Sequence, residues 1–409
     1  MASTPTLALE GSSTPAEALG AAALPELAWT VTKMRAGAGI TVDATLIAAW
    51  QAASSPHTLR ALKSDLDAFD LWCRREGRIA LPASPETVAD YLDARAGEGR
   101  KPASLGRYLA SIAKIHQLLD LTDPTKTQLV KLRLRAIRRE KGTAQEQARP
   151  LRFKGPVRDV AREAPRGLNV RALLEACPDD LPGLRDRALL SVAYDTGLRA
   201  AELVAVAVEH IIAATDPEAR LLRIPRTKND PEGEGATAFL SPRSVRAITA
   251  WTRAAGIETG PLFRRVQVRR YKARAAQPGR SIESISNRET WDLRKLLPKR
   301  AVPARPEFDV GDKPLHPGSI GPIWRAMIRR AFDQGALGDL TADDLERLLK
   351  GVSAHSTRVG LNQDLFASGE DLAGIMDALR WKSPRMPLAY NRNLAAEAGA
   401  VGRLISKLE

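Results

Sequence analysis

The run S-A-H-S-T-R-V-G at residues 353–360 is followed by R-W-K-S at 380–383 and A-Y-N-R at 389–392. At helical spacing, His355 and Arg358 share a face and can reach one small target together. An arginine grips two oxygens of a phosphate through its rigid fork. The Trp381 indole is a pure donor, and the Tyr390 phenol becomes a nucleophile once its proton is taken. Together the four side chains can hold a phosphate and attack it. Singly, each such residue is usually structural, so the meaning of the group depends on the rest of the chain.

A chain of 409 residues exceeds one comfortable core, and two domains with tails are expected. A net charge of +14 and a pI near 10.0 favour a polyanionic partner, nucleic acid or an acidic membrane surface. No apolar run reaches the roughly 18 residues of a membrane span. The N-terminus, M-A-S-T-P-T-L, lacks the basic flank of a signal peptide. Two isolated cysteines, Cys73 and Cys177, and five scattered histidines give no metal-ligand spacing. The expectation is a cytoplasmic protein with no metal, no cofactor and no membrane contact, acting on nucleic acid.

Residues 1–45 are rich in Ala, Ser, Thr, Pro and Gly and read as a flexible arm, with a short amphipathic helix around Ala22 to Met34. From Pro56 the pattern tightens into helices. Leu59, Leu62, Leu66, Phe69 and Cys73 form a stripe behind a Ser55 cap. Ser84 and Pro85 open the second helix, with an imperfect capping box. Leu105, Tyr108, Leu109, Ile112, Ile115 and Leu119 line the third. A fourth, about Thr125 to Lys141, has Leu129, Leu132 and Ile137 on its expected buried side, and most of the remainder is Lys and Arg. Charge of one sign repels itself unless an anion lies against it. Residues 46–141 thus read as a helical DNA-binding domain. Its candidate contacts are Arg60, Lys63, Arg107, Lys114, Lys131, Arg135, Arg138 and Arg139.

Residues 142–167 lose periodicity and read as a linker, with a second domain over 168–393. There a helix ends at Gly197, and Arg199 opens the next with Glu202 one turn on. Two short apolar runs flank a polar turn at Asn229 and Asp230, a small antiparallel hairpin with Lys228 where the first strand meets the turn. Residues 264–312 are strongly basic, either a DNA-binding extension or a solvated loop. Residues 394–409 form an amphipathic helix with Leu394, Val401, Leu404, Ile405 and Leu408 on one stripe.

Arg199, Lys228, His355, Arg358, Trp381 and Tyr390, in that order, resemble the catalytic set of the tyrosine site-specific recombinases, the phage integrase family. R-T-K at the hairpin, tryptophan ahead of the tyrosine, and Y-N-R-N-L-A-A-E-A-G-A-V-G-R-L resemble its Cre-type members. The resemblance covers about 168–263 and 314–405, and less closely 54–141. It does not cover the arm, and 268–312 is longer than the family's usual connection. It implies a mainly α fold with a small antiparallel β-hairpin or sheet. A four-to-five-helix core-binding (SAM-like) domain and an α+β catalytic domain would together form a C-shaped DNA clamp.

By the same resemblance, Tyr390 attacks a DNA phosphate to give a 3′-phosphotyrosine. The double-stranded site carries inverted repeats, and a homotetramer joins two duplexes through a Holliday junction. The residues suit these roles. Arg199 and Arg358 stay charged and clamp the nonbridging oxygens, and Trp381 adds a neutral donor. Glu202 orients Arg199, His355 exchanges the tyrosine proton or fixes the phosphate, and Lys228 protonates the leaving 5′ oxygen. The covalent bond conserves phosphoester energy, and the sequence has neither an ATP-binding P-loop nor a carboxylate cluster suited to magnesium. A type IB topoisomerase or telomere resolvase would use a similar site on one duplex, and a noncatalytic DNA-binding protein is the third alternative.

Overall fold

The computed structural model describes residues 6–9, 34, 40–144, 146–224, 235–279 and 297–392, and Leu394, Val401, Leu404, Ile405 and Leu408. The chain divides into two compact units, Met1–Glu146 and Gln147–Glu409.

In the first unit, strands β1 (Thr6–Leu9) and β2 (Ile40–Asp43) pair antiparallel, so the arm expected to be flexible contributes a strand. The helix expected around Ala22 to Met34 lies outside the described residues, except for buried Met34. Asp43 then caps α1 (Ala44–Ala52) by accepting from the Thr45 and Leu46 amides.

In α2 (Pro56–Arg75), Ser55 accepts from the Thr58 amide and Pro56 supplies the fixed φ of the first turn. Leu62, Leu66, Phe69 and Cys73 fall inside at helical spacing. Ser84 and Pro85 start α3 (Pro85–Gly97) in the same way. Its Tyr91 stands edge-on to Phe69 at 4.9 Å and to Trp72 at 5.3 Å, against α4 (Pro102–Leu118). Each such aromatic pair adds about 0.5–1.5 kcal/mol beyond area burial.

Helix α5 (Gln128–Lys141) corrects one expectation. Val130 and Ile137 are buried, with Leu134 packed beside them, whereas Leu129 and Leu132 are 43% and 47% exposed. The inward stripe runs through 130, 134 and 137, which turns Leu129 and Leu132 to solvent.

The second unit starts earlier than the sequence suggested. Leu151 and Val157, expected within a linker, are fully buried, and Leu151 belongs to the second core. The Arg149 amide donates to the Gly351 carbonyl at 2.8 Å, and the Leu151 amide to the Ser356 carbonyl at 2.9 Å. A Cβ at Gly360 would lie 1.9 Å from the Leu151 carbonyl oxygen. Glycine is what lets this strap lie flat on the helix it crosses.

After the strap come α6 (Val170–Glu175), α7 (Leu181–Thr196) and the short α8 (Ala200–Val204). Strands β3 (Ile211–Ala213), β4 (Arg220–Ile224) and β5 (Ala236–Leu240) form an antiparallel sheet in that order. The sequence reading found β4 and β5 but missed β3, too short to show a pattern. Helix α9 (Pro242–Ala255) follows, then β6 (Arg264–Tyr271) paired with β7 (Arg305–Pro314). The two ends of the basic segment are therefore strands of a ribbon, and residues 280–296 within it lie outside the described residues.

Helices α10 (Ile320–Asp333), α11 (Ala342–Gly351), α12 (Ser356–Ala367), α13 (Leu372–Ala378) and α14 (Arg385–Asn391) complete the described elements. Fully buried Trp251, Trp324 and Phe263 anchor this core. No helix among the described residues is long and apolar enough to cross a membrane.

Candidate active site

The site gathers where three helix ends meet. Helix α7 stops at Gly197, whose φ of 56° lies in the left-handed region. A Cβ there would come within 2.4 Å of the Leu379 side chain, so glycine serves both the backbone conformation and the close approach. Two residues on, Arg199 is the N-cap of α8. Glu202 accepts from the Arg199 amide at 3.0 Å and from its guanidinium at 2.7 Å. One carboxylate thereby caps the helix and aims the arginine, and these contacts hold Glu202 below its ordinary pKa despite its burial.

Arg358 projects from the first turn of α12 and is only 3% exposed. Its guanidinium donates to the Gly197 and Leu379 carbonyls and lies 4.8 Å from the centre of the Trp381 ring. Among the described residues no carboxylate pairs with it. Burial, then the nearby Arg199 and Arg380 charges, push Arg358 down to about 9. It stays protonated at neutral pH, in a positive environment that an incoming anion would relieve.

Trp381 is itself buried, with its ring centre 5.7 Å from that of Tyr390. Tyr390, half-buried on α14, has its phenol pKa raised by burial, while Arg358 and Arg199 pull it back. Its backbone carbonyl accepts from Gln363 Nε2 at 3.0 Å and Gln147 Nε2 at 3.2 Å. The tyrosine is thus tied to the helix carrying Arg358 and to the strap. His355, the N-cap of α12, keeps an exposed edge. Partial desolvation, then Arg358 and Arg199, lower its pKa below the ordinary 6.5.

Arg199, Glu202, His355, Arg358, Trp381 and Tyr390 are therefore brought within electrostatic or van der Waals reach of one another. Lys228 lies outside the described residues. Sequence reasoning overlooked Arg380, half-buried beside this group. It has a φ of 53°, donates to the Thr196 carbonyl at 3.0 Å, and its Nε meets no hydrogen-bond partner among the described residues. Its place next to Trp381 was the only available signal.

The candidate DNA contacts separate into two groups. Arg107 is paired with buried Asp65 at 2.8 Å, Lys63 with Asp67 at 3.3 Å, Lys114 with Gln117, and Arg60 with His57 and the Pro56 carbonyl. Lys131, Arg135, Arg138 and Arg139 are exposed on α5 and form no ion pair among the described residues. The first three recur at i, i+4 and i+7, a single stripe.

Residues 49–121 match the phage integrase N-terminal SAM-like domain. The chain is 28% identical over 356 residues to the recombinase Cre of Escherichia phage P1, covering 86% of this chain and 89% of that protein. It is 31% identical over 219 residues to an integrase/recombinase XerD homolog of Selenomonas ruminantium, covering 51% and 59%. Against the solved XerH site-specific recombinase bound to difH substrate, in its pre-cleavage complex, the TM-score is 0.41 at 13% identity, over 77% of this chain and 69% of that one.

Proposed function

Because this chain belongs to the tyrosine recombinases of the phage integrase family, we propose that it cuts and rejoins double-stranded DNA at specific sites through a 3′-phosphotyrosine. The observation that carries this reading is Arg358. Its charge is buried with no carboxylate bonded to it among the described residues, next to Arg199 and within reach of Tyr390. A desolvated cation held by backbone carbonyls and flanked by further arginines is suited to binding an anion there.

In the proposed step, Tyr390 Oη attacks phosphorus while His355, neutral at pH 7, takes the phenolic proton. Arg199 and Arg358 neutralise the nonbridging oxygens as the pentacoordinate phosphorane forms, and the Trp381 indole donates to them. The P–O5′ bond breaks, and Lys228 supplies the proton for the departing oxygen. Glu202 and Arg380 touch no reacting atom in this scheme and act by positioning. Attack by a 5′ hydroxyl on the phosphotyrosine reverses the sequence, and attack by a strand from a second duplex builds a Holliday junction. The phosphoester bond is conserved throughout, so the scheme requires neither ATP nor metal.

The proposed assembly is a homotetramer on two duplexes carrying inverted repeats. Val401, Leu404, Ile405 and Leu408 support it, being 74%, 55%, 46% and 73% exposed in helical conformation, an apolar stripe not covered by its own unit. Tyr390→Phe removes the attacking oxygen alone. Incubated with labelled duplex, it is expected to bind normally and form no covalent adduct. An adduct at the wild-type level would place the nucleophile elsewhere.

A further inference from the structure

The β6–β7 ribbon takes no part in the chemistry above. Its pairing runs without a register shift from Val266↔Val310 to Tyr271↔Arg305, and bridges at Arg274↔Val302 and Gln277↔Lys299 continue the same register. At about 3.3 Å per residue, Val266 to Gln277 extends roughly 36 Å, close to one helical turn of duplex DNA.

Its two ends differ in character. At the base, Val266 is buried and Phe308 and Val310 pack on the core. There Glu307 stands opposite Arg269, and Asp309 opposite Gln267, so charge is balanced. Beyond that, residues 270–279 and 297–306 are exposed without exception. These two runs carry Arg270, Lys272, Arg274, Lys299, Arg300 and Arg305 and contain no Asp or Glu.

A two-stranded ribbon solvated on both faces is marginal by itself, and like charges along it add repulsion. An anionic surface laid against it would reverse that term. Its occupant is not a strand-adding protein, since Pro298, Pro303 and Pro306 remove three backbone donors from one strand and like charges line the rest. Nor does it offer a continuous apolar face to a lipid surface: Tyr271 and Val302 are isolated among charges. A two-stranded ribbon does match the major groove of duplex DNA in width.

We propose that this ribbon is a second DNA-binding element, holding duplex phosphates through Arg270, Lys272, Arg274, Lys299 and Arg300, apart from the catalytic pocket. This rests on the DNA-acting reading above but leaves Tyr390 unused, so the two are separable. Log affinity for duplex DNA falls with log salt by about 0.9 per phosphate contact. Replacing all five residues by Gln in the full chain should flatten that slope by about 2 to 4.5 on a random-sequence duplex several turns long. Replacing the three arginines by Lys should leave it steep, because a point charge suffices for a phosphate.

Should the five-fold variant melt early, Lys272→Gln with Arg274→Gln carries the same test, at up to about 1.8. An unchanged slope overturns the proposal. A flattened slope with no adduct even from wild type would sustain the ribbon and remove the recombinase chemistry.

Discussion

Arg152 and Asp364, 212 positions apart, meet at 2.6 Å with both side chains almost fully buried. The same carboxylate accepts from the Phe153 amide at 2.7 Å and the Tyr194 hydroxyl at 2.6 Å. Asp364 lies on α12 below Arg358, so the pair fastens the site's helix to the strap that reaches Tyr390 through Gln147. Removing one member leaves the other charged and dry. Asp364→Ala should lower unfolding stability by about 3–5 kcal/mol, whereas Arg152→Met with Asp364→Leu should be milder by the cost of the unpaired charge, the Phe153 amide and Tyr194 hydroxyl losing their acceptor in both. Denaturant unfolding of the single and double variants checks this; equal losses would mean that packing rather than charge governs the position.

How much of this was legible in the sequence depended on range. Caps at Ser55 and Ser84, the break at Gly197 and the Arg199–Glu202 pair are local, and local spacing disclosed them. The strap was not legible, because its partners Gly351, Ser356 and Asp364 lie some two hundred residues away and a segment without periodicity resembles a linker. The α5 face was misassigned because leucines at 129 and 132 suggest burial, while the true stripe through 130, 134 and 137 is set by α3 and α4. Arg380 was passed over for a similar reason. A lone arginine in a turn becomes informative only when its burial and its neighbours Glu202 and Arg199 are known.

A pH profile should expose His355. Its pKa is depressed in the folded chain, so the neutral ring is the resting form at pH 7 and can accept the Tyr390 proton. Adduct formation should fall with acid through an apparent pKa below 6.5. His355→Gln should lower the plateau by about 10²–10⁴-fold, as for other acid–base groups, and erase that limb. Folding stability follows the same sign: the depressed group's contribution is full above the unfolded pKa and is lost as pH falls through the folded one. An acid limb that survived in the variant would assign it to another group.

Lys228 is tested by the leaving group. If it protonates the departing 5′ oxygen, Lys228→Ala should be slowed about 10²–10⁴-fold on ordinary DNA. A substrate with sulfur at the 5′-bridging position leaves as a thiolate and needs no acid. Cleavage of that substrate by the variant should approach the wild-type rate. Equal impairment on both substrates would show that Lys228 binds rather than protonates.

The C-terminal stripe should govern assembly rather than folding. Val401, Leu404, Ile405 and Leu408 are exposed, so polar replacements meet water in the free protomer and should change its melting temperature little. On a neighbouring protomer the same four side chains would bury apolar area worth on the order of 5–10 kcal/mol before ordering costs. A head-to-tail contact of this kind closes into a ring, and the short stretch of sequence between Tyr390 and Val401 would link each nucleophile to its neighbour's occupancy. Leu404→Asp with Leu408→Asp should therefore bind a half-site with wild-type affinity and lose cooperative pairing on a full site. Gel-shift titrations on both substrates, with a thermal melt as control, separate the cases. A large drop in melting temperature would mean that the stripe packs on its own unit, and undiminished cooperativity would place the protomer contact on another surface.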